Sequence, residues 1–276
     1  MNGLVKRFTA TASIALASFS FAISAHAGGV LDRVLATKTL TVATAANFPP
    51  ASFVNDKGQL DGFDIEVAKE VAKYMGVEAK FVTPGWDIVT SGKWEGRWDL
   101  AMHMSQTAAR AKLFDLEAVY LYNYMVAVVH KDSKATKPSD LDGKVIGVTA
   151  GSAEESYAKH TLEPYNAPPI KYQFAPGEIK SYESNSSARD DLRLGDGVRL
   201  DGIIDEERTA NEAIRAGYSL KIIGEPLNSA ATAIPVLHGD KEFSDKVAAA
   251  IKSMREDGTL SKLSIKWWGS DQTSAK

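Results

Sequence analysis

Arg110 closes the stretch Trp98-Asp99-Leu100-Ala101-Met102-His103-Met104-Ser105-Gln106-Thr107-Ala108-Ala109-Arg110, in which a short apolar strand runs into a turn of small residues. A guanidinium delivered there can hold a carboxylate through two parallel N–H···O bonds. The Ser105 and Thr107 hydroxyls and the turn amides are further donors. Gly151-Ser152 opens a helix, where backbone N–H groups and the helix dipole favour negative charge and where Ser152 serves equally well as an ordinary N-cap. Asp205 and Glu206 follow a strand and either accept bonds from an ammonium group or begin a solvated helix with acids near its N-terminus. Phe48 and Trp86 stand just past strand ends, where an aromatic completes a core or walls a cleft. Together, a cation for a carboxylate, an acid for an amine and aromatic faces between them describe recognition of a zwitterionic amino acid. They do not describe a catalyst. His103, His130, His160 and His238 are scattered without metal-ligand spacing, and no Gly-x-Ser-x-Gly elbow or phosphate-cradling loop occurs, so no metal or cofactor is expected.

The elements that must position these groups alternate. Val30 to Leu35 reads as a helical turn, Thr39 to Thr44 as a strand, and Pro49-Pro50 stiffens the loop that carries Phe48. Ile65, Val67, Ala68, Val71, Ala72 and Met75 recur at helical spacing, with Asp64 placed as N-cap and Gly76 as the C-terminal glycine. Strands are expected at 77–82 and 99–102, with a short helix at 86–91 between them. The β-rich run 119–129 is longer than one compact strand needs and is expected to cross between domains. The pattern then restarts, with strands at 144–149, 170–174, 200–204 and 220–223 and helices from 151, at 186–194 and at 209–216. A strand at 232–237 and helices at 242–256 and 260–267 find their simplest home in the first unit, reached by a second crossing near 224–228. The fold class is α/β, each lobe a mostly parallel sheet flanked by helices, and ligands of such folds sit outside the carboxyl ends of the strands.

Composition sets the surroundings. Lys6 and Arg7 precede an apolar run from Phe8 to Ile23 and the small-x-small triplet Ala25-His26-Ala27, the form of a secretory signal cleaved after Ala27. The run is interrupted by Thr11, Ser13, Ser18 and Ser20, and it is shorter than the roughly 20 apolar residues of a membrane span. Removing residues 1–27 takes away Lys6 and Arg7 and no acid, which moves the formal net charge from −3 to −5. An acidic chain argues against nucleic acid as a partner. Cysteine is absent from all 276 residues, so neither disulfides nor a lipid attachment point is expected. The setting expected is a Gram-negative periplasm.

Four segments carry a family likeness: Gly58-Gln59-Leu60-Asp61-Gly62-Phe63-Asp64-Ile65-Glu66-Val67-Ala68, Arg110-Ala111-Lys112, Leu141-Asp142-Gly143-Lys144-Val145-Ile146-Gly147-Val148, and Asp257-Gly258-Thr259-Leu260 followed by Lys266-Trp267-Trp268-Gly269. In this order they resemble the periplasmic solute-binding proteins of family 3, the polar amino-acid type that serves ABC importers. The resemblance covers nearly all of the chain after the signal. It implies the two-lobed periplasmic-binding-protein fold with two crossover strands, lobe 1 being residues 28–122 plus 226–276 and the inserted lobe 2 residues 123–225. It further implies a monomer that closes over a small amino-acid ligand and delivers it to an inner-membrane ABC permease with its ATPase. Carried over residue by residue, Arg110 and Ser105 resemble the carboxylate clamp, and Phe48 and Trp86 the aromatic pair that sandwiches the ligand side chain. Ser152 and the N–H groups after it match the second-lobe carboxylate contact, and Glu206, or Asp205 one residue earlier, the ammonium acceptor. Ala45 stands where cationic amino-acid binders often carry an acid, Ala153 where threonine is common, and His103 where a small residue is typical. Similar folds also host periplasmic dehydratases of cyclic carboxylic acids. In that alternative the same arginine holds substrate, and Glu206 or His103 acts as acid or base.

Overall fold

The computed structural model describes residues 29–165 and 168–274, so the expected signal segment, residues 1–27, lies outside the described residues. In chain order the first part comprises α1 (Val30–Thr37), β1 (Thr39–Ala43), β2 (Asn47–Phe48), β3 (Ser52–Val54), β4 (Leu60–Asp61), α2 (Phe63–Met75), β5 (Glu78–Val82), α3 (Trp86–Thr90), β6 (Leu100–Ala101), β7 (Met104–Ser105) and β8 (Phe114–Asp115). Parallel pairing gives a three-stranded sheet in the order β5-β1-β6, and β2, β3 and β4 form a small antiparallel sheet beside it. The apolar stripe of α2, which includes Val67, Ala68, Val71, Ala72 and Met75, lies in the first core. Full burial of Val67 and Val71 contributes about 1.5–3 kcal/mol each. As expected, Gly76 ends that helix in the left-handed conformation, φ 71.

The remainder comprises β9 (Val119–His130), β10 (Val145–Thr149), α4 (Ala153–Ala158), β11 (Glu178–Tyr182), α5 (Asn185–Leu192), β12 (Gly202–Glu206), α6 (Glu207–Arg215), β13 (Leu220–Ala233), β14 (Val236–Leu237), α7 (Lys241–Glu256) and α8 (Thr259–Trp268). A second sheet runs β11-β10-β12-β9-β13-β7, parallel from β11 to β12 and antiparallel beyond. The fold is two-lobed, and β9 and β13 join the lobes. Tyr120 and Leu121 at the start of β9 belong to the first core, while Met125, Ala127 and Val129 further along belong to the second. Its antiparallel partner β13 shifts register between Ile223 and Asn228, within the expected second crossing. Helices α7 and α8 return to the first core through Phe243, Val247, Ile251, Leu260 and Trp268.

Two expectations about elements are corrected. Residues 170–174 form no strand. Phe174 is buried in the second core, with Ile170 and Tyr172 packed against it, but without a strand ladder. The strand is Glu178–Tyr182, whose polar sequence suits its place at the edge of the sheet, where most of its side chains remain accessible. Nor is Asp64 an N-cap. Helix α2 begins at Phe63 after Gly62, and the Asp64 carboxylate turns inward. There it accepts from Tyr120 Oη at 2.7 Å and meets His103 Nδ1 at 2.9 Å.

Candidate functional site

Between the lobes lies a cleft of about 690 Å³. The first lobe lines it with the segment from Ala43 to Phe48, the loop into α3 and its Trp86, and His103, Ser105 and Arg110. The second lobe contributes the turn from Thr149 to Glu154, the segment from Ser181 to Asn185, and Glu206. The lobes touch at the rim, where Asn47 Nδ2 donates to Ser184 Oγ (3.2 Å) and Ser186 Oγ donates to the Asn47 carbonyl (2.8 Å).

Arg110 begins a single 3₁₀ turn, Arg110–Lys112, and is only 8% exposed. Nη1 donates to the Ser105 carbonyl (2.9 Å) and Nη2 to the Gly151 carbonyl (3.1 Å) across the cleft, while the Trp86 ring centroid lies 5.6 Å from Cζ. Ser105 therefore meets Arg110 through its backbone. The Thr107 hydroxyl accepts from the Arg110 N–H at 3.2 Å and so shapes the turn. Burial lowers the Arg110 pKa to about 10, opposed by Glu154 and Glu206, which leaves the guanidinium charged at neutral pH. It makes no ion pair with any described residue.

On the opposite wall, Ser152 is the N-cap of α4, its Oγ accepting from the Glu155 N–H at 3.0 Å. The Gly151 N–H donates to Glu155 Oε2 at 2.8 Å, so part of the expected anion donor set is already occupied. The two candidate acids part company. Asp205 is fully buried and does not line the cleft: Arg189 donates to it through Nε (2.6 Å) and Nη2 (3.0 Å), and Thr209 Oγ1 donates at 3.1 Å. Its carboxylate is consumed in tying α5 to β12. Glu206, one residue on, has the opposite orientation of an alternating strand and faces the cleft.

Sequence reasoning brought His103 to the site only in the dehydratase alternative and missed its pairing with Asp64 and Glu206. His103 sits in the left-handed region (φ 65) between β6 and β7 and separates them, so the strand expected at 99–102 is the short β6 and β7 is a second piece beyond it. Nδ1 lies 2.9 Å from Asp64 Oδ2 and Nε2 lies 3.1 Å from Glu206 Oε2. Its backbone N–H donates to Tyr120 Oη at 3.0 Å, and the Phe48 ring meets the imidazole edge-on at 5.0 Å between centroids. Burial pulls the His103 pKa down, but Asp64 and Glu206 more than reverse this and raise it to about 10. The imidazolium thus donates to both carboxylates, one from each lobe. Burial, reinforced by Asp64, pushes the Tyr120 hydroxyl well above its ordinary range, so it remains a donor. Glu154, also 8% exposed, is raised to about 7 by burial and by Glu206, against Arg110 and hydrogen bonds from its own N–H and from Ser152. The signal for His103 was its bulk in a turn of small residues; nothing in linear spacing ties positions 64, 103 and 206. Among the described residues no cluster of three or more His, Cys, Asp or Glu side chains is arranged to hold a metal ion. No helix among them is long and apolar enough to cross a membrane.

A model of the bacterial extracellular solute-binding proteins, family 3, matches residues 40–270. The chain belongs to that family. This solute-binding protein is 28% identical over 249 residues to the L-cystine-binding protein TcyJ of Escherichia coli (strain K12), covering 89% of this chain and 88% of the relative. It is 28% identical over 252 residues to the L-arginine-binding protein of Pseudomonas aeruginosa, covering 87% and 92%. Its fold matches the structure of an ABC uptake transporter substrate-binding protein from Streptococcus pneumoniae with bound histidine at a TM-score of 0.79 and 26% identity, over 90% of this chain and 100% of the other. It also matches the ancestral amino acid-binding protein AncCDT-1, a precursor of cyclohexadienyl dehydratase, at a TM-score of 0.74 and 28% identity, over 86% and 99%. By their names, two of these relatives bind L-cystine and L-arginine, one is an ancestral amino acid-binding protein, and one is the substrate-binding protein of an ABC uptake transporter.

Proposed function

We propose that this chain captures an amino acid, or a close derivative of one, between its two lobes and presents it to an inner-membrane ABC permease with its ATPase. One observation carries the reading: a buried guanidinium, Arg110, faces the cleft with no counter-ion among the described residues, and a carboxylate of the other lobe, Glu206, lines the same space. A buried charge without a partner is strongly unfavourable, and a ligand carboxylate on Arg110 relieves it. Glu206 then accepts from the ligand ammonium, Phe48 and Trp86 flank the side chain, and Ser105 and Ser152 border the carboxylate. Because Arg110 and Glu206 come from different lobes, the ligand favours the closed arrangement, the only one that completes both contacts. The lobes are residues 28–122 plus 226–276 and residues 123–225. The protein works as a monomer in the periplasm after cleavage behind Ala27. It does no chemistry on what it binds.

Calorimetric titration of protein that has been unfolded and refolded to strip carried ligand tests this reading, using the common amino acids together with L-cystine. Saturable one-to-one binding of at least one of them supports it. The rival is a dehydratase acting on a cyclic carboxylic acid, favoured by one feature: Glu154, raised to about 7, stands in the same cleft as Arg110 and has the pKa of a general acid. No amino-acid binding together with turnover of a prephenate-like acid would replace the first reading with the second.

A further inference from the structure

The cleft holds two buried ionisable side chains, Arg110 and Glu154, without an ion-pair partner among the described residues. Among the described residues the Arg110 guanidinium donates only to the carbonyls of Ser105 and Gly151. Glu154, in the first turn of α4, is 8% exposed and has no basic side chain in ion-pair contact among the described residues. The two act on each other across the cleft without forming an ion pair, so the space between them is open to a ligand. Glu206 closes the triangle. Its Oε2 is engaged by His103 Nε2 at 3.1 Å, while Oε1 has no hydrogen-bond partner among the described residues. An ammonium group carries three N–H donors. One free oxygen of Glu206 leaves most of them unsatisfied, whereas Glu154 supplies a second acceptor from the same lobe.

We propose that Glu154 and Glu206 together seat the ammonium group of the ligand, Glu154 being the second carboxylate of that seat and a determinant of what the cleft accepts. The inference rests on the amino-acid reading and adds to it a residue and a proton. Two carboxylates facing one space cannot both ionise cheaply while it is empty, and a cation placed between them removes the obstacle. The charged groups acting on Glu154 are Glu206 at the end of β12, which holds its proton on, and Arg110 from the first lobe, which draws it off. The adjacent Glu155 is turned away to Lys159 Nζ (2.8 Å), Ser181 Oγ (2.7 Å) and the Gly151 N–H. His103, raised to about 10, keeps its proton throughout the neutral range and adds nothing to the count. Ligand binding therefore releases the Glu154 proton, and the release grows as pH falls, because burial and Glu206 hold that proton on in the empty cleft.

Calorimetry in buffers of different ionisation enthalpy measures that count directly. The probes are L-arginine, L-histidine and L-cystine, each beside its deaminated analogue. For a probe that binds wild type, the expected result is proton release that rises from pH 8 to pH 6. In Glu154→Gln the release disappears, and affinity for the amino acid falls roughly tenfold, because a charge-assisted hydrogen bond is replaced by a neutral one. Binding of the deaminated analogue is insensitive to the substitution. Amino-acid binding with no proton release at any pH overturns the inference on wild type alone, whether or not the variant folds. So does a folded Glu154→Gln with unchanged affinity and proton count. Either outcome leaves the amino-acid reading standing. Failure of the whole amino-acid panel to bind wild type removes that reading and this one together.

Discussion

Replacing His103 by Gln leaves Asp64 and Glu206 facing one another's vicinity without the cation that both accept from. His103 reaches Asp64 Oδ2 at 2.9 Å and Glu206 Oε2 at 3.1 Å from a side chain that is 8% exposed. Breaking a buried charge network by removing one member costs about 3–5 kcal/mol. The same interaction appears as a pH dependence. The folded-state pKa is raised from 6.5 to about 10, so the stabilisation is complete below pH 6.5 and is lost as pH rises through 10. A shift of this size is worth roughly 5 kcal/mol, or a melting-point difference of about 10–20 °C for a chain of this length. Thermal and urea denaturation of wild type and His103→Gln from pH 6 to pH 10 tests it. Lysines and tyrosines titrate in both proteins, so the gap between the curves isolates His103. That gap should be widest near pH 6 and close towards pH 10. Parallel curves, or a variant within about 0.5 kcal/mol of wild type at pH 7, refute the buried imidazolium.

Other substitutions separate fold from site. Gly62→Ala should cost at least about 2 kcal/mol in urea denaturation. The backbone there has φ 124, and a Cβ would lie 2.4 Å from the Ala51 carbonyl oxygen. Arg189→Leu strands the fully buried Asp205 and should lower stability by about 3–5 kcal/mol, measured by denaturant midpoint at constant m-value. Trp86→Ala acts on the half-buried ring beside Arg110, so amino-acid affinity should fall about tenfold in calorimetry while the melting point of the ligand-free protein barely moves.

Much of the architecture was legible in the sequence because its signals are local. The helical spacing of Val67, Val71 and Met75 with Gly76 behind them marks α2, and the length of the run from Val119 marks a crossing. The strand Glu178–Tyr182 was not legible, since an edge strand with accessible side chains carries no alternating pattern, while Ile170, Tyr172 and Phe174 alternate without pairing. Of the candidate site, the sequence placed residues at strand ends but not the contacts between them. Phe48, Trp86, Ser105, Arg110, Ser152 and Glu206 do line one cleft. Asp205 was a fair reading of a strand-end acid, but Arg189, sixteen residues earlier, claims it through a contact that no spacing rule foretells. Asp64 looked like a helix cap because its position and type fit one; its burial against Tyr120 and His103 is a tertiary fact. Glu154 stood in the sequence as one acid of a pair, and only the fold shows that Glu155 turns to Lys159 while Glu154 turns to the cleft.

The central claim is that an unpaired Arg110 receives the carboxylate of an amino acid. The most direct measurement is a thermal-shift series over amino acids on refolded wild type and on Arg110→Ala. Ligand at a thousandfold over its dissociation constant stabilises by about 4 kcal/mol, which is roughly 8–16 °C here. The account predicts such a shift for at least one amino acid in wild type and its loss in Arg110→Ala. Equal shifts in both proteins contradict the clamp, and no shift from any amino acid in wild type contradicts the function.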